Sequence, residues 1–176
     1  MEPQKEEVLR LLGLEPLTTE GGLYTITYVS SRTYNNVTKE GSNKERALMS
    51  SIYYMLTDQY PINYFHRNKP DIIHYYHIGL PIRYHMVSPE GDYRTAVMGS
   101  DLKAGHHLQL LVPGGYWKAA ELIIPKNSES NSTYGLISEA VVPQFKFDEW
   151  SIAIERDIKD LVSPENYELL KKLIKS

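Results

Sequence analysis

Hydrophobic and polar positions along most of this chain alternate with the period of β-strands. Eight short runs rich in Tyr, Ile, Val and Thr carry the pattern. They are Tyr24 to Val29, Ser51 to Leu56, Ile72 to Ile78, Ile82 to Val87, Tyr93 to Met98, Leu108 to Val112, Trp117 to Ile124 and Leu136 to Val142. β-branched and aromatic residues suit a pleated, half-buried surface, so each run predicts a strand. Turn residues separate them: Gly79-Leu-Pro81, Ser88-Pro-Glu-Gly91, Pro113-Gly-Gly115 and the polar stretch 126–135. Many short strands without helical crossovers predict an all-β sandwich or closed barrel, not a parallel α/β sheet.

The period changes at both ends. Val8, Leu11 and Leu12 fall at helical spacing before Gly13, which predicts a helix over 3–12. Ser163 as N-cap, Pro164 at the first helical position and the stripe Tyr167, Leu170, Leu173, Ile174 predict another over 164–175. Arg32 to Arg46 is polar and reads as a long surface loop. The whole chain, 1–176, is expected to form one domain, with a barrel from about Leu14 to Leu161.

Composition narrows the function. A net charge of −3 and the absence of any block of Lys or Arg argue against nucleic acid and anionic membranes as partners. No cysteine is present, which removes disulfides, thiolate catalysis and Cys-ligated zinc. The charged start, Met1 to Glu7, does not read as a secretory signal, and no apolar run is long enough to span a bilayer. The expectation is a cytoplasmic protein. No G-x-S-x-G, H-E-x-x-H or P-loop occurs.

An ordered set of segments resembles one family. They are Glu20-Gly-Gly-Leu-Tyr24, Ser51 to Leu56, Phe65-His-Arg-Asn-Lys69, Ile72-Ile-His74 with Gly79, Gly99-Ser-Asp-Leu102 with Gly105, Val112-Pro-Gly-Gly115 and Ser138 to Asp148. Together they resemble the small RmlC-like cupins grouped as a domain of unknown function, a family with a yeast member. The resemblance implies a double-stranded β-helix, or jelly roll, flanked here by short N- and C-terminal helices, and commonly a homodimer. It implies fold more than activity.

Metal-binding cupins carry two His one residue apart, then a Glu, then a Gly seven further on, and later a Pro-x-Gly turn followed by a His. Mapped onto this chain, His66 takes the first His position, Asn68 the second and Ile72 the Glu position, with Gly79 in place. Pro113 and Gly115 match the turn, but Lys118 stands where the last His belongs. A transition metal needs several imidazole or carboxylate donors at once. No cofactor is therefore expected. A divalent metal would require an altered set, built on His66 and His74 with a third ligand from His106, His107 or Glu139.

A metal-free constellation remains. Strand alternation puts Ile72, His74 and Tyr76 on one face. If the resemblance sets that face inward, His66, Asn68, His74, Tyr76, Gln109 and Lys118 share the barrel interior, with Glu20 and Tyr24 near its mouth. Lys118 points outward instead if a β-bulge follows the Gly114-Gly115 turn. His66 as base and Tyr76 as acid would resemble the metal-independent sugar-nucleotide epimerases of this fold, with Lys118 stabilising a developing enolate. Two readings compete with that isomerase or epimerase: a pocket that binds or senses a small molecule without chemistry, and a metal-dependent enzyme with a non-standard ligand set.

Overall fold

In the computed structural model, residues 3–37, 43–126 and 128–175 are described. Thirteen strands run in chain order: β1 Glu15–Pro16, β2 Leu23–Val29, β3 Thr33–Val37, β4 Asn43–Ala47, β5 Ser50–Thr57, β6 Ile62–Asn68, β7 Asp71–Gly79, β8 Ile82–Val87, β9 Tyr93–Met98, β10 Gln109–Val112, β11 Trp117–Leu122, β12 Tyr134–Val142 and β13 Trp150–Ile152. They form two facing antiparallel sheets and one hairpin. The first sheet has the order β1-β2-β5-β12-β7-β10, the second β13-β6-β11-β8-β9, and β3 pairs with β4. All eight expected strands are present. The chain is mostly β, with short helices at its ends.

Interior side chains from both sheets meet in one apolar cluster. Tyr54, Leu56 and Ile137 from the first sheet pack on Tyr84, Met86, Ala120 and Leu122 from the second. The outer faces are covered too. Helix α1, Lys5–Leu12, lays Val8 against Leu23, Met55 and Leu136. Helices α2, Glu155–Lys159, and α3, Pro164–Leu170, cover Phe65, Val87, Trp117 and Ala119 with Ile158, Val162 and Leu170. Several central strands are thus buried on both faces, which is why β5 and β11 read as nearly continuous apolar runs.

Three expectations are corrected. The segment Arg32 to Arg46 is not a loop: β3 and β4 form a hairpin across it, although 38–42 lies outside the described residues. The two strands pair only with each other, and the described side chains do not alternate: Thr33 and Glu45 are exposed while the adjacent Arg46 and Ala47 are both buried. The C-terminal helix over 164–175 stops at Leu170 and tightens into a 3₁₀ turn, Lys171–Leu173, which buries Leu173. The first helix begins at Lys5, not at residue 3. Strands β6 and β13 and helix α2 carry no clean period and were not legible as such.

Candidate functional site

A β-bulge builds the site. Strand β11 pairs with β6 as Lys118 opposite His66 and then Ala120 opposite Asn63, with the register slipping between them. Tyr64 and Phe65 therefore face a single residue, and the ladder is locally broken. Tyr64 spends its released backbone groups on the site. Its N–H donates to the Glu20 carbonyl at 2.7 Å. Its carbonyl accepts from His66 Nδ1 at 2.8 Å. The bulge thus fixes two chain segments that are far apart in sequence.

Glu20 reaches β6 because glycines follow it. Gly21 has φ +88°, and a Cβ there would sit 2.2 Å from the Ile62 carbonyl oxygen; at Gly22, φ +73°, it would strike the Tyr54 hydroxyl. Tyr54 in turn donates to the Gly21 carbonyl at 2.7 Å. The Glu20 carboxylate then lies 2.9 Å from His66 Nε2 and accepts from the Trp150 indole N–H at 3.2 Å, both on Oε2. Among the described residues Oε1 of Glu20 has no hydrogen bond.

Both ring nitrogens of His66 face acceptors, a carbonyl at Nδ1 and a carboxylate at Nε2. Such a geometry needs two protons across the ring and the carboxylate, either as imidazolium with carboxylate or as neutral ring with carboxylic acid. Burial works to raise the Glu20 pKa, but the His66 ring and the Lys118 ammonium outweigh it and hold it below the ordinary carboxylate value. The Glu20 carboxyl is therefore ionised at neutral pH.

A second cluster lies beside the first. Lys118, Glu139 and His74 converge: Lys118 Nζ is 2.9 Å from His74 Nε2 and 3.5 Å from Glu139 Oε1, and His74 Nε2 is 3.3 Å from that same oxygen. His74 Nδ1 faces the Leu110 carbonyl at 3.3 Å. Burial first, and then the neighbouring ammonium, depress the His74 pKa, so the ring is neutral and Nε2 accepts from lysine. Burial opposes ionisation of Glu139, yet the Lys118 ammonium holds its carboxyl well below the usual range. Burial and the two carboxylates push the Tyr54 and Tyr84 phenols well up.

A cavity of about 150 Å³ opens beside these groups. Its polar wall includes Glu20, His66, Asn68 and Glu139; its apolar wall includes Tyr24, Ile52, Ile72, Val141 and the aromatic series Phe145, Phe147 and Trp150. The aromatic rings pack edge to face, with centroids 5.0 Å apart for Phe145 and Phe147 and 6.2 Å for Phe147 and Trp150.

Of the residues singled out in the sequence, Glu20, Tyr24, His66 and Asn68 line this cavity. His74 and Lys118 are interior and buried, at 0% and 2% exposure, but bond each other behind the wall. Lys118 points inward despite the bulge, because the extra residue lies on β6 and not on β11. Two placements are corrected. Tyr76 is not among the residues that line the cavity, and its hydroxyl donates to the Gly79 carbonyl at 2.5 Å. Gln109 is exposed on the edge strand β10. Glu149 bonds the buried Arg46 at 2.7 Å. Glu139 and the aromatic series were missed as cavity wall. A signal existed for Glu139, since it alternates with Ile137 and Val141 on β12.

The side chains at the family's metal positions do not suit a cation. Asn68 and Ile72 stand at two of them, and Lys118 brings an ammonium to the third. Among the described residues no three His, Asp or Glu side chains converge. His66 and His74 direct their Nε2 atoms at different partners.

The family described as Cupin superfamily (DUF985) matches residues 6–153. The chain belongs to this cupin family. A curated yeast relative, the uncharacterised protein YML079W of Saccharomyces cerevisiae, is 41% identical over 115 residues, which cover 65% of this chain and 55% of that protein. The match thus spans about half the length of that relative. Two solved structures superpose on nearly the whole cupin. A hypothetical protein from Leishmania major has 25% identity and a TM-score of 0.81, covering 98% of this chain and 99% of its own. Protein SO0799 from Shewanella oneidensis has 29% identity and a TM-score of 0.81, covering 99% of each chain. No helix among the described residues of this cupin is long and apolar enough to cross a membrane.

Proposed function

We propose that this cupin binds a small carbonyl compound in the Glu20–His66 cavity and moves a proton on and off it without a metal, as an isomerase or epimerase does. One observation carries the reading: His66 is held between two acceptors while Glu20 keeps an unbonded carboxylate oxygen on the cavity wall. Glu20 Oε1 takes a proton from carbon α to the carbonyl. The bond electrons move into the enolate, and the adjacent imidazolium offsets the shifted charge. The same pair returns the proton to a neighbouring position. Because the two groups are coupled, they act as one acid–base unit and not as separate residues. Lys118, committed to His74 and Glu139, serves the wall's electrostatics and does not touch the enolate.

The test is proton NMR in D₂O with a panel of small aldehydes, ketones and free sugars. Enzyme-dependent deuterium uptake α to the carbonyl, abolished by Glu20→Gln and by His66→Ala, is the expected result. A second reading, a non-catalytic binding module, draws on the engagement of both His66 nitrogens. Saturable binding without deuterium uptake would select it. Neither binding nor uptake would overturn both.

A further inference from the structure

Two carboxylates, Glu20 and Glu139, line the cavity wall, and among the described residues no Lys or Arg lines it. The cations packed nearby are already committed. Lys118 bonds His74 and Glu139. Arg46, itself buried, bonds the Gln144 carbonyl at 2.9 Å and the Glu149 carboxylate at 2.7 Å. A phosphate or carboxylate entering this space would meet two carboxylates and no free cation.

An independent observation points the same way. Asn68 also lines the cavity, is 7% exposed, and its Oδ1 has no hydrogen-bond partner among the described residues. A buried acceptor left unsatisfied costs free energy, and a ligand that donates to it recovers that cost. Phe145, Phe147 and Trp150 line the same space, Trp150 beside Asn68 on the neighbouring strand, and give an apolar group rings to pack on. The volume suits one ligand about the size of benzene.

We propose that the cavity selects small ligands bearing a protonated amine, whose N–H groups donate to Asn68 within the negative field of Glu20 and Glu139 while the apolar part packs on the aromatic wall, and that it rejects anions of the same size. The inference builds on the cavity assigned above and names its ligand class, so the substrate would be an amine-bearing carbonyl compound.

Three molecules of similar size and different charge decide the matter: benzylamine, benzyl alcohol and benzoate, titrated at neutral pH into the wild-type protein and followed by protein NMR. Benzylamine should saturate about tenfold more tightly than benzoate, one charge-assisted hydrogen bond being worth that ratio, with the alcohol between them. Asn68→Asp should tighten benzylamine several-fold, and Glu20→Gln should weaken it and narrow the gap to benzoate. Melting curves of both variants confirm that they are folded, and the wild-type series stands without them. Benzoate binding as well as or better than benzylamine overturns the inference, as does saturation by none of the three up to tens of millimolar. Deuterium uptake by an uncharged ketone alongside preferred benzoate binding would sink the ligand class and leave proton transfer standing.

Discussion

Two histidine–carboxylate clusters lie within one barrel and behave differently. Each histidine gives Nδ1 to a backbone carbonyl, Tyr64 for His66 and Leu110 for His74. They differ at Nε2. His66 meets only an acceptor there, the Glu20 carboxylate, so a proton must sit between them. His74 meets a donor, the Lys118 ammonium, so its ring is neutral and fixed in one tautomer. The first cluster holds an exchangeable proton beside a cavity. The second holds its charges still, and by pinning Glu139 it keeps one wall of that cavity negative. One lysine separates a site that can exchange a proton from a scaffold that cannot.

The comparison breaks most completely at Lys118. Lys118→Met should destabilise the fold by about 3–5 kcal/mol in chemical denaturation, because Glu139 and His74 lose their buried partner. The double variant with Glu139→Gln should recover part of the loss. A full loss in the double variant would mean the lysine acts through packing alone. A smaller effect is expected at the exchangeable cluster. Gly21→Ala forces a Cβ against Ile62 in a left-handed conformation and should cost about 1–3 kcal/mol. Deuterium uptake should fall with it, because Glu20 is displaced. Unchanged melting would show that the turn is looser than the geometry states.

Trp150→Phe sharpens the same cluster at lower cost. It keeps an aromatic ring but removes the donor to Glu20 Oε2, for about 0.5–1.5 kcal/mol. The smallest effect is the pH dependence of the second cluster. The folded His74 pKa lies below its unfolded value, so the unfolded chain binds the extra proton as pH drops through the ordinary imidazole range near 6.5. Stability from this group is full above that range and is lost as pH falls through it. The lowered Glu20 and Glu139 pKa values act in the same direction further down, below the ordinary carboxylate range. Melting temperature measured from pH 8 to 4 should therefore decline monotonically. In Lys118→Met the His74 Cε1–H resonance should titrate at higher pH than in the wild type.

The aromatic and β-branched runs determined the eight main strands, since a two-residue period with one face inward leaves few alternatives. The same alternation put His74 on one face with Ile72, and the family resemblance turned that face inward. Pairing across the chain was not in the pattern. Whether Lys118 faced inward turned on which strand carried the bulge, a property of two strands in register. Tyr76 shares the inward parity of His74 yet lies too near the Gly79 end of its strand to reach the cavity. Gln109 shares a strand with buried Val112 but faces outward at the sheet edge. The sequence by itself determined the fold class and the inventory of charged and aromatic groups available to a cavity. Tertiary structure alone decided which of the two histidines meets an ammonium beside its carboxylate, because the protonation of a buried ring is set by neighbours that arrive from distant strands.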